Sequence, residues 1–246
     1  MTPKKEWLRA KRARERAAGT TVTSEPMIHG VPESQIDKLR GYREPMSQAS
    51  QTPESIREDY ARVGIEVTPT YASQVWHAIN YYTGGSHHDM REAYRLERSG
   101  RSSELTYDQR QFLSDYKLCM EYCRIAPTVK MPEGSEVMRG VRVREGSVYS
   151  QGLLNLKVGQ KYDVDSMPTS FTTSRLIAKM FSNFGGIMIH APAGKLKNAP
   201  SIRGLSGVAT EDEVFMADYG WKVARISDQR SKGDGRYHIY LEPDKK

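Results

Sequence analysis

The feature that most constrains this chain is a change of texture near its middle. From Ser55 to Pro127 the apolar residues recur at spacings of three and four, whereas beyond Pro132 they fall in short runs of Val, Ile, Tyr and Phe separated by glycine. Those spacings are the helical and strand periods, so the first half reads as helices and the second as strands. Helices first and strands later argues for an α+β class rather than alternating βαβ units on a parallel sheet. A nucleotide site in such a chain would not be the crevice of a doubly wound sheet, and the sequence carries neither a GxGxxG nor a Walker loop.

Within the first half, helices are expected over 55–63, 68–82, 88–97 and 107–123. The second has Thr70 or Ser73 as its cap, sets Val75, Trp76, Ile79 and Tyr82 on one side, and stops at Thr83-Gly-Gly. The last buries Phe112, Tyr116, Cys119, Met120 and Cys123. In the second half the strand candidates are EVMRGVRV, VGQKYDVDSMPTSFTTS, GGIMIHAP, DEVFMADY, GWKVARIS and RYHIYLE, with one helix over 175–184 among them.

A chain of 246 residues suits one folded domain plus a tail. The formal charge is +7, and residues 1–19 hold seven Lys and Arg against two Glu, a balance of +5 that leaves +2 elsewhere. Such an arm could grip nucleic acid through phosphates, and a solvated basic helix accounts for it equally well. Residues 20–55 are rich in Ser, Thr, Pro and Gln, which suits a linker or a loosely docked segment. The expected division is therefore a basic arm and flexible linker over 1–55 and a folded domain over 56–246. No run approaches the roughly 18–20 apolar residues of a membrane span. The start also lacks the apolar segment of a secretory signal, so a soluble, cytoplasmic protein is expected. Cys119 and Cys123 lie one helical turn apart, which suits two packed thiols better than a disulfide or a zinc site. His87, His88 and Asp89 read as a solvent-exposed polar turn, and no metal is assigned.

Four motifs follow one another along the chain: Arg139-Gly140, the hydroxyl-rich PTSFTTS ending at Ser174, an A-x-x-F pair at Ala178 and Phe181, and Glu211-Asp212-Glu213. In a strand, Glu211 and Glu213 share one face and Asp212 turns to the other. Taken alone, an acidic triplet is equally a charged edge that resists aggregation. The ordered set is more specific than any member.

This set, over about 68–246, resembles the mono-ADP-ribosyltransferases of the arginine, serine, glutamate class, which include clostridial binary-toxin enzymes and bacterial and phage effectors. HAINYYTGG is similar to the family helix that carries Tyr-Thr before its turn. The resemblance implies an ADP-ribosyltransferase fold, with a helical N-terminal half and two roughly perpendicular antiparallel or mixed sheets forming an NAD cleft. It also implies transfer of ADP-ribose from NAD, with no metal, to a protein acceptor, here an arginine side chain. The runners-up are an NAD glycohydrolase and an inactive nucleic-acid-binding or virion-associated relative. A delivered effector or a virion-packaged protein fits the same likeness.

Roles follow by resemblance. Glu213 holds the ribose 2′-hydroxyl and stabilises the oxocarbenium-like charge as the nicotinamide bond breaks, as carboxylates do in glycoside hydrolysis. Glu211 orients the acceptor guanidinium and takes its proton. Arg139 meets the dinucleotide phosphates with a planar fork of donors, or braces the site. Gly140 lets backbone approach the nicotinamide carboxamide. The hydroxyl register is either Ser170-Phe171-Thr172 or Thr172-Thr173-Ser174, with Ser170 and Thr172 favoured to direct Glu213. Ser174 joins Thr172 on the cofactor side, and Phe181 packs either on nicotinamide or in the core. Relatives often carry an aromatic in the turn ahead of the acidic pair; here that residue is Val208.

Overall fold

The computed structural model describes residues 25–43, 51–162, 169–193, 200, 202, 205, 213–216 and 220–244. The basic arm over 1–19 lies outside the described residues, as does Glu211.

The described chain opens with a small hairpin of β1 (Met27–Ile28) and β2 (Val31–Pro32), followed by α1 (Glu33–Leu39) and β3 (Tyr42–Arg43). His29 and Gly30 take positive φ at the hairpin turn. Ile28 and Ile36 are buried in the helical core, so this part of the chain is docked on the helices. The signal was faint because two isoleucines eight residues apart make no periodic stripe.

Threonines open the next helices. Thr52, Thr68 and Thr106 accept hydrogen bonds from the N–H groups of Ser55, Tyr71 and Gln109. They thereby cap α2 (Pro53–Arg62), α3 (Pro69–Tyr81) and, after α4 (His87–Arg98), α5 (Tyr107–Ile125). The cap of α3 is Thr68, ahead of both Thr70 and Ser73, because Pro69 pre-sets the first helical φ. Thr83-Gly84-Gly85 does not stop the helix either. A π-helical turn, Tyr82–Ser86, carries the chain into α4, and the Thr83 hydroxyl donates to the carbonyls of Ile79 and Asn80, each at 3.1 Å. Along α5, Tyr116, Cys119 and Cys123 are buried as expected, Leu113 joins them, and Phe112 and Met120 pack at the rim. Both cysteines are free thiols.

Three tyrosine and histidine groups converge on one carboxylate oxygen in this layer. Glu121 Oε1 accepts from Tyr60 Oη at 2.7 Å and Tyr71 Oη at 2.8 Å, and lies 2.9 Å from His29 Nε2. The hub ties the opening hairpin to α2, α3 and α5.

After β4 (Thr128–Val129), which pairs with β3, the chain runs through β5 (Glu136–Val141), α6 (Val148–Leu154), β6 (Thr169–Thr172) and α7 (Arg175–Ser182). It ends with β7 (Ile187–Pro192), β8 (Glu213–Met216), β9 (Trp221–Asp228) and β10 (Tyr237–Pro243). The helices-then-strands order is as expected. The short α6 was not foreseen; its VYSQGLL is too brief for a helical period to show. Of the long strand candidate before Ser174, the described strand is β6 alone, with an isolated bridge from Lys161 to Lys222.

The strands pair in the order β8-β6-β5-β7-β10-β9, antiparallel except for β7 with β10. The β5–β6 junction is narrow, with Met138 opposite Thr172. Among the described residues it is the narrowest pairing of this one six-stranded sheet, and it lies between a smaller part, β8-β6, and a larger part, β5-β7-β10-β9. Val137, Val141, Phe171, Ile187, Ile189, Ile239 and Trp221 form the core on one side with Leu153 of α6. Met138, Met188 and Ala178 form a smaller one under α7.

Helix α7 rests directly on the backbone of β5. A Cβ on Gly140 would overlap the Ala178 carbonyl oxygen and stand 2.7 Å from the Ser182 nitrogen, so only glycine fits. Gly140→Ala is therefore expected to lower stability by about 1–3 kcal/mol or more through overpacking against rigid backbone, as read by urea or thermal unfolding.

Candidate active site

The seam between the two sheet parts brings the distant motifs together. Thr172 of β6 stands opposite Met138 on one side and opposite Glu213 of β8 on the other. Ser170 stands opposite Phe215. Next to the seam, Arg139 Nη1 donates to the Ser170 carbonyl at 2.9 Å. Arg139, Ser170, Thr172 and Glu213, separated by as many as 74 positions in the chain, thus occupy three adjacent strands. The pairing bears on the hydroxyl register. Thr172 is the residue facing Glu213 across the ladder, and Ser170 contributes its carbonyl to Arg139.

The turn after β6 is held by its own side chains. Thr172 Oγ1 accepts from the Ser174 N–H at 3.0 Å, and Ser174 Oγ accepts from the Ile177 N–H at 3.4 Å as the cap of α7. Ser174 therefore spends an acceptor on starting the helix. Phe181 is 45% exposed, so the core-packing account of it does not hold. It lies on the open side of α7 with Leu176 and Met180, both also exposed. Gly140 is filled by the α7 backbone, which makes its close approach a helix–strand contact.

The helical layer adds groups that sequence reasoning passed over. Arg91 of α4 is buried and donates to Tyr82 Oη at 2.9 Å. Arg139 lies within electrostatic reach of Arg91, Tyr82, Tyr149 and Tyr162, and its Nε is buried with no hydrogen-bond partner. His87 is half-buried rather than exposed. Burial, then the charges of His88, Arg91 and Arg139, push its pKa down to about 4. His88 is also lowered, by burial and then by Arg91 and Arg144, while Asp89 opposes the shift. The region is strongly electropositive, and an unsatisfied guanidinium N–H in it suits an anion that brings its own acceptors. Arg91 was invisible among the look-alike charges of REAYRLER; its signal was the spacing of four from His87, which puts both on one face of α4. Among the described residues, no group of three His, Cys, Asp or Glu side chains is placed to hold a metal.

No protein-family model matches the chain, and no curated protein matches it by sequence. Solved structures do. The type III effector XopAI from Xanthomonas axonopodis pv. citri, as a 70-residue N-terminal truncation, aligns at 12% identity over 98% of this chain and 99% of its own, with a TM-score of 0.53. The ADP-ribosyltransferase Vis, in complex with an inhibitor, aligns at 16% identity over 87% of this chain and 90% of its own, with a TM-score of 0.50. The chain has the ADP-ribosyltransferase fold. At these identities the likeness speaks for the fold, and the chemistry rests on the residues at the seam.

The depressed His87 gives a signed prediction. Its folded pKa, about 4, lies below the ordinary 6.5, so between these values the unfolded chain binds a proton that the folded chain refuses. The stability it contributes is complete above 6.5 and is lost as pH falls toward 4. An NMR titration should find the His87 ring uncharged through that window, and His87→Gln should remove that part of the acid loss in thermal stability.

Proposed function

We propose that this protein cleaves NAD at the nicotinamide–ribose bond and transfers ADP-ribose to an arginine side chain of a protein acceptor. The observation that carries the reading is the pairing of β6 with β8, which sets Glu213 opposite Thr172 beside the Arg139–Ser170 contact. It stands on the same fold as the transferase Vis.

The electropositive surroundings of Arg139 support a diphosphate ligand. A dinucleotide carries two phosphate charges, and Arg139 offers a planar fork of donors with its Nε unspent. Glu213 acts on the ribose. As the C1′–N bond breaks, nicotinamide leaves with the bonding electrons, and positive charge spreads over C1′ and the ring oxygen. A carboxylate holding the 2′-hydroxyl stabilises that charge more than it stabilises the ground state. Thr172 steers Glu213 from the neighbouring strand, with Ser170 keeping the guanidinium in place. Gly140 and Ser174 serve the site by seating α7, and Phe181 offers an exposed ring for nicotinamide or for the acceptor. Glu211, two residues ahead of Glu213, orients the incoming guanidinium. The acceptor nitrogen attacks C1′, and its proton passes to Glu211.

Incubation with labelled NAD and a cell lysate, scoring free nicotinamide and labelled protein separately, tests this. Glu213→Gln should lower both by roughly 10²–10³-fold, the scale of losing one transition-state stabiliser. Glu211→Gln should abolish protein labelling while sparing nicotinamide release. Small and equal effects from the two changes would reject the assignment. Nicotinamide release without any labelled protein would reduce the activity to NAD hydrolysis. Arg139→Lys should raise the KM for NAD about tenfold, since a lysine cannot reproduce the two-sided fork, and Michaelis kinetics of nicotinamide release read this directly.

A further inference from the structure

Away from the seam, four titratable side chains form one file across the larger sheet part. Glu136 Oε2 of β5 lies 3.2 Å from His190 Nδ1 of β7. His190 Nε2 lies 2.9 Å from His238 Nδ1 of β10, and His238 Nε2 lies 2.8 Å from Asp234 Oδ1 in the β9–β10 turn. Both imidazoles are buried, at 6% and 3% exposure, so solvent cannot complete their hydrogen bonding.

The file permits one proton count. An ionised carboxylate only accepts, so His190 Nδ1 and His238 Nε2 must each carry a hydrogen. Two neutral rings would then set two lone pairs against each other at the central contact, and two imidazolium rings would set two N–H groups there. One additional proton makes that contact a hydrogen bond. We propose that His190 and His238 share a single proton as an imidazole–imidazolium pair between Glu136 and Asp234, and that this proton locks β7 and β10 to β5 and to the β9–β10 turn.

The surroundings are charged on every side. Tyr240 stacks on His190 with ring centroids 4.4 Å apart, and the Arg225 guanidinium lies 3.7 Å above Tyr240. Lys179 of α7 and Arg236 stand 3.9 Å and 4.0 Å from Asp234, and Arg175 of α7 acts on His190. A second proton is opposed: burial foremost holds His190 below its ordinary pKa, with the His238 and Arg175 charges adding to this and Glu136 resisting it. Burial resists ionisation of Asp234, yet His238, Arg236 and Lys179 hold it below the usual carboxylate value.

The sign of the pH dependence follows. His190 is depressed, so its share of stability is present above the ordinary 6.5 and is lost as pH falls and the pair is forced apart. Loss of the shared proton at higher pH leaves facing lone pairs and costs stability again. The lock therefore peaks between two limbs. Because Asp234 also faces Lys179 and Arg236, and Arg236 Nε donates to Ser182 Oγ at 2.8 Å, the proton bears on the seating of α7.

Nitrogen-15 NMR of the imidazoles in the full chain tests the count. Bound hydrogens are expected on His190 Nδ1 and His238 Nε2, together with one strongly downfield shared proton that disappears in His190→Gln and in His238→Gln. Both rings found neutral throughout the stable pH range would overturn the proposal. Thermal unfolding against pH should peak for the parent chain and lose one limb in either glutamine variant; a variant profile parallel to the parent's would also overturn it. Should those variants not fold, Glu136→Gln at the half-exposed end keeps the test alive. Removing that charge should move the alkaline limb to lower pH, and an unmoved limb counts against the lock. No NAD assay enters, so this outcome and that of the proposed transfer reaction are independent.

Discussion

The contact between α7 and β5 is the constraint on which the rest of the structure depends. With no Cβ at Gly140, helix backbone lies against strand backbone, and nothing between them can yield. The short turn from Thr172 through Ser174 is thereby drawn onto the end of β5, which is what makes the Met138–Thr172 pairing and the Arg139–Ser170 bond geometrically available. Ser182 finishes the arrangement at the other end of α7, taking a hydrogen bond from Arg236. A helix capped by Ser174 at its start, bonded to Arg236 at its end and laid on Gly140 of β5 gives the seam a rigid floor.

The helical layer contributes charge rather than floor. Arg91 and His87 of α4 meet Arg139 of β5, an element far away in the chain, and gathering two guanidinium groups costs electrostatic energy. That energy is offset elsewhere, by a core of Ile56, Val75, Ile79 and Ile125 and by the Glu121 hub that joins four segments through one carboxylate. Burial, followed by Glu121, raises the Tyr60 and Tyr71 hydroxyls well above their ordinary pKa, so both remain donors at any physiological pH. The scaffold thus holds two guanidinium groups and a lowered histidine close together.

Local signals were legible where the physics is local. Helix periods, threonine and serine caps, and β-branched runs depend on neighbours within a turn or two, and they located α2 to α5, α7 and most strands to within a few residues. The errors have the same origin. Pro69 moved a cap to Thr68, and the π-helical turn at Tyr82–Ser86 carried the chain through two glycines expected to stop it. The docking of 25–43 rests on Ile28, Ile36 and the His29–Glu121 contact, whose partners lie about 90 positions away.

By itself, the sequence determined the class of the fold and the order of its chemistry: helices before strands, then arginine, hydroxyls and carboxylates in succession. Those are one-dimensional properties, set by side-chain period and by residue type. Only the tertiary structure decided that Thr172 stands opposite Glu213, that Ser170 offers its carbonyl to Arg139, that Arg91 comes within electrostatic reach of Arg139, and that His190 meets His238 across parallel strands. Each is a matter of register or of packing between remote segments, where a shift of a single residue exchanges one set of neighbours for another.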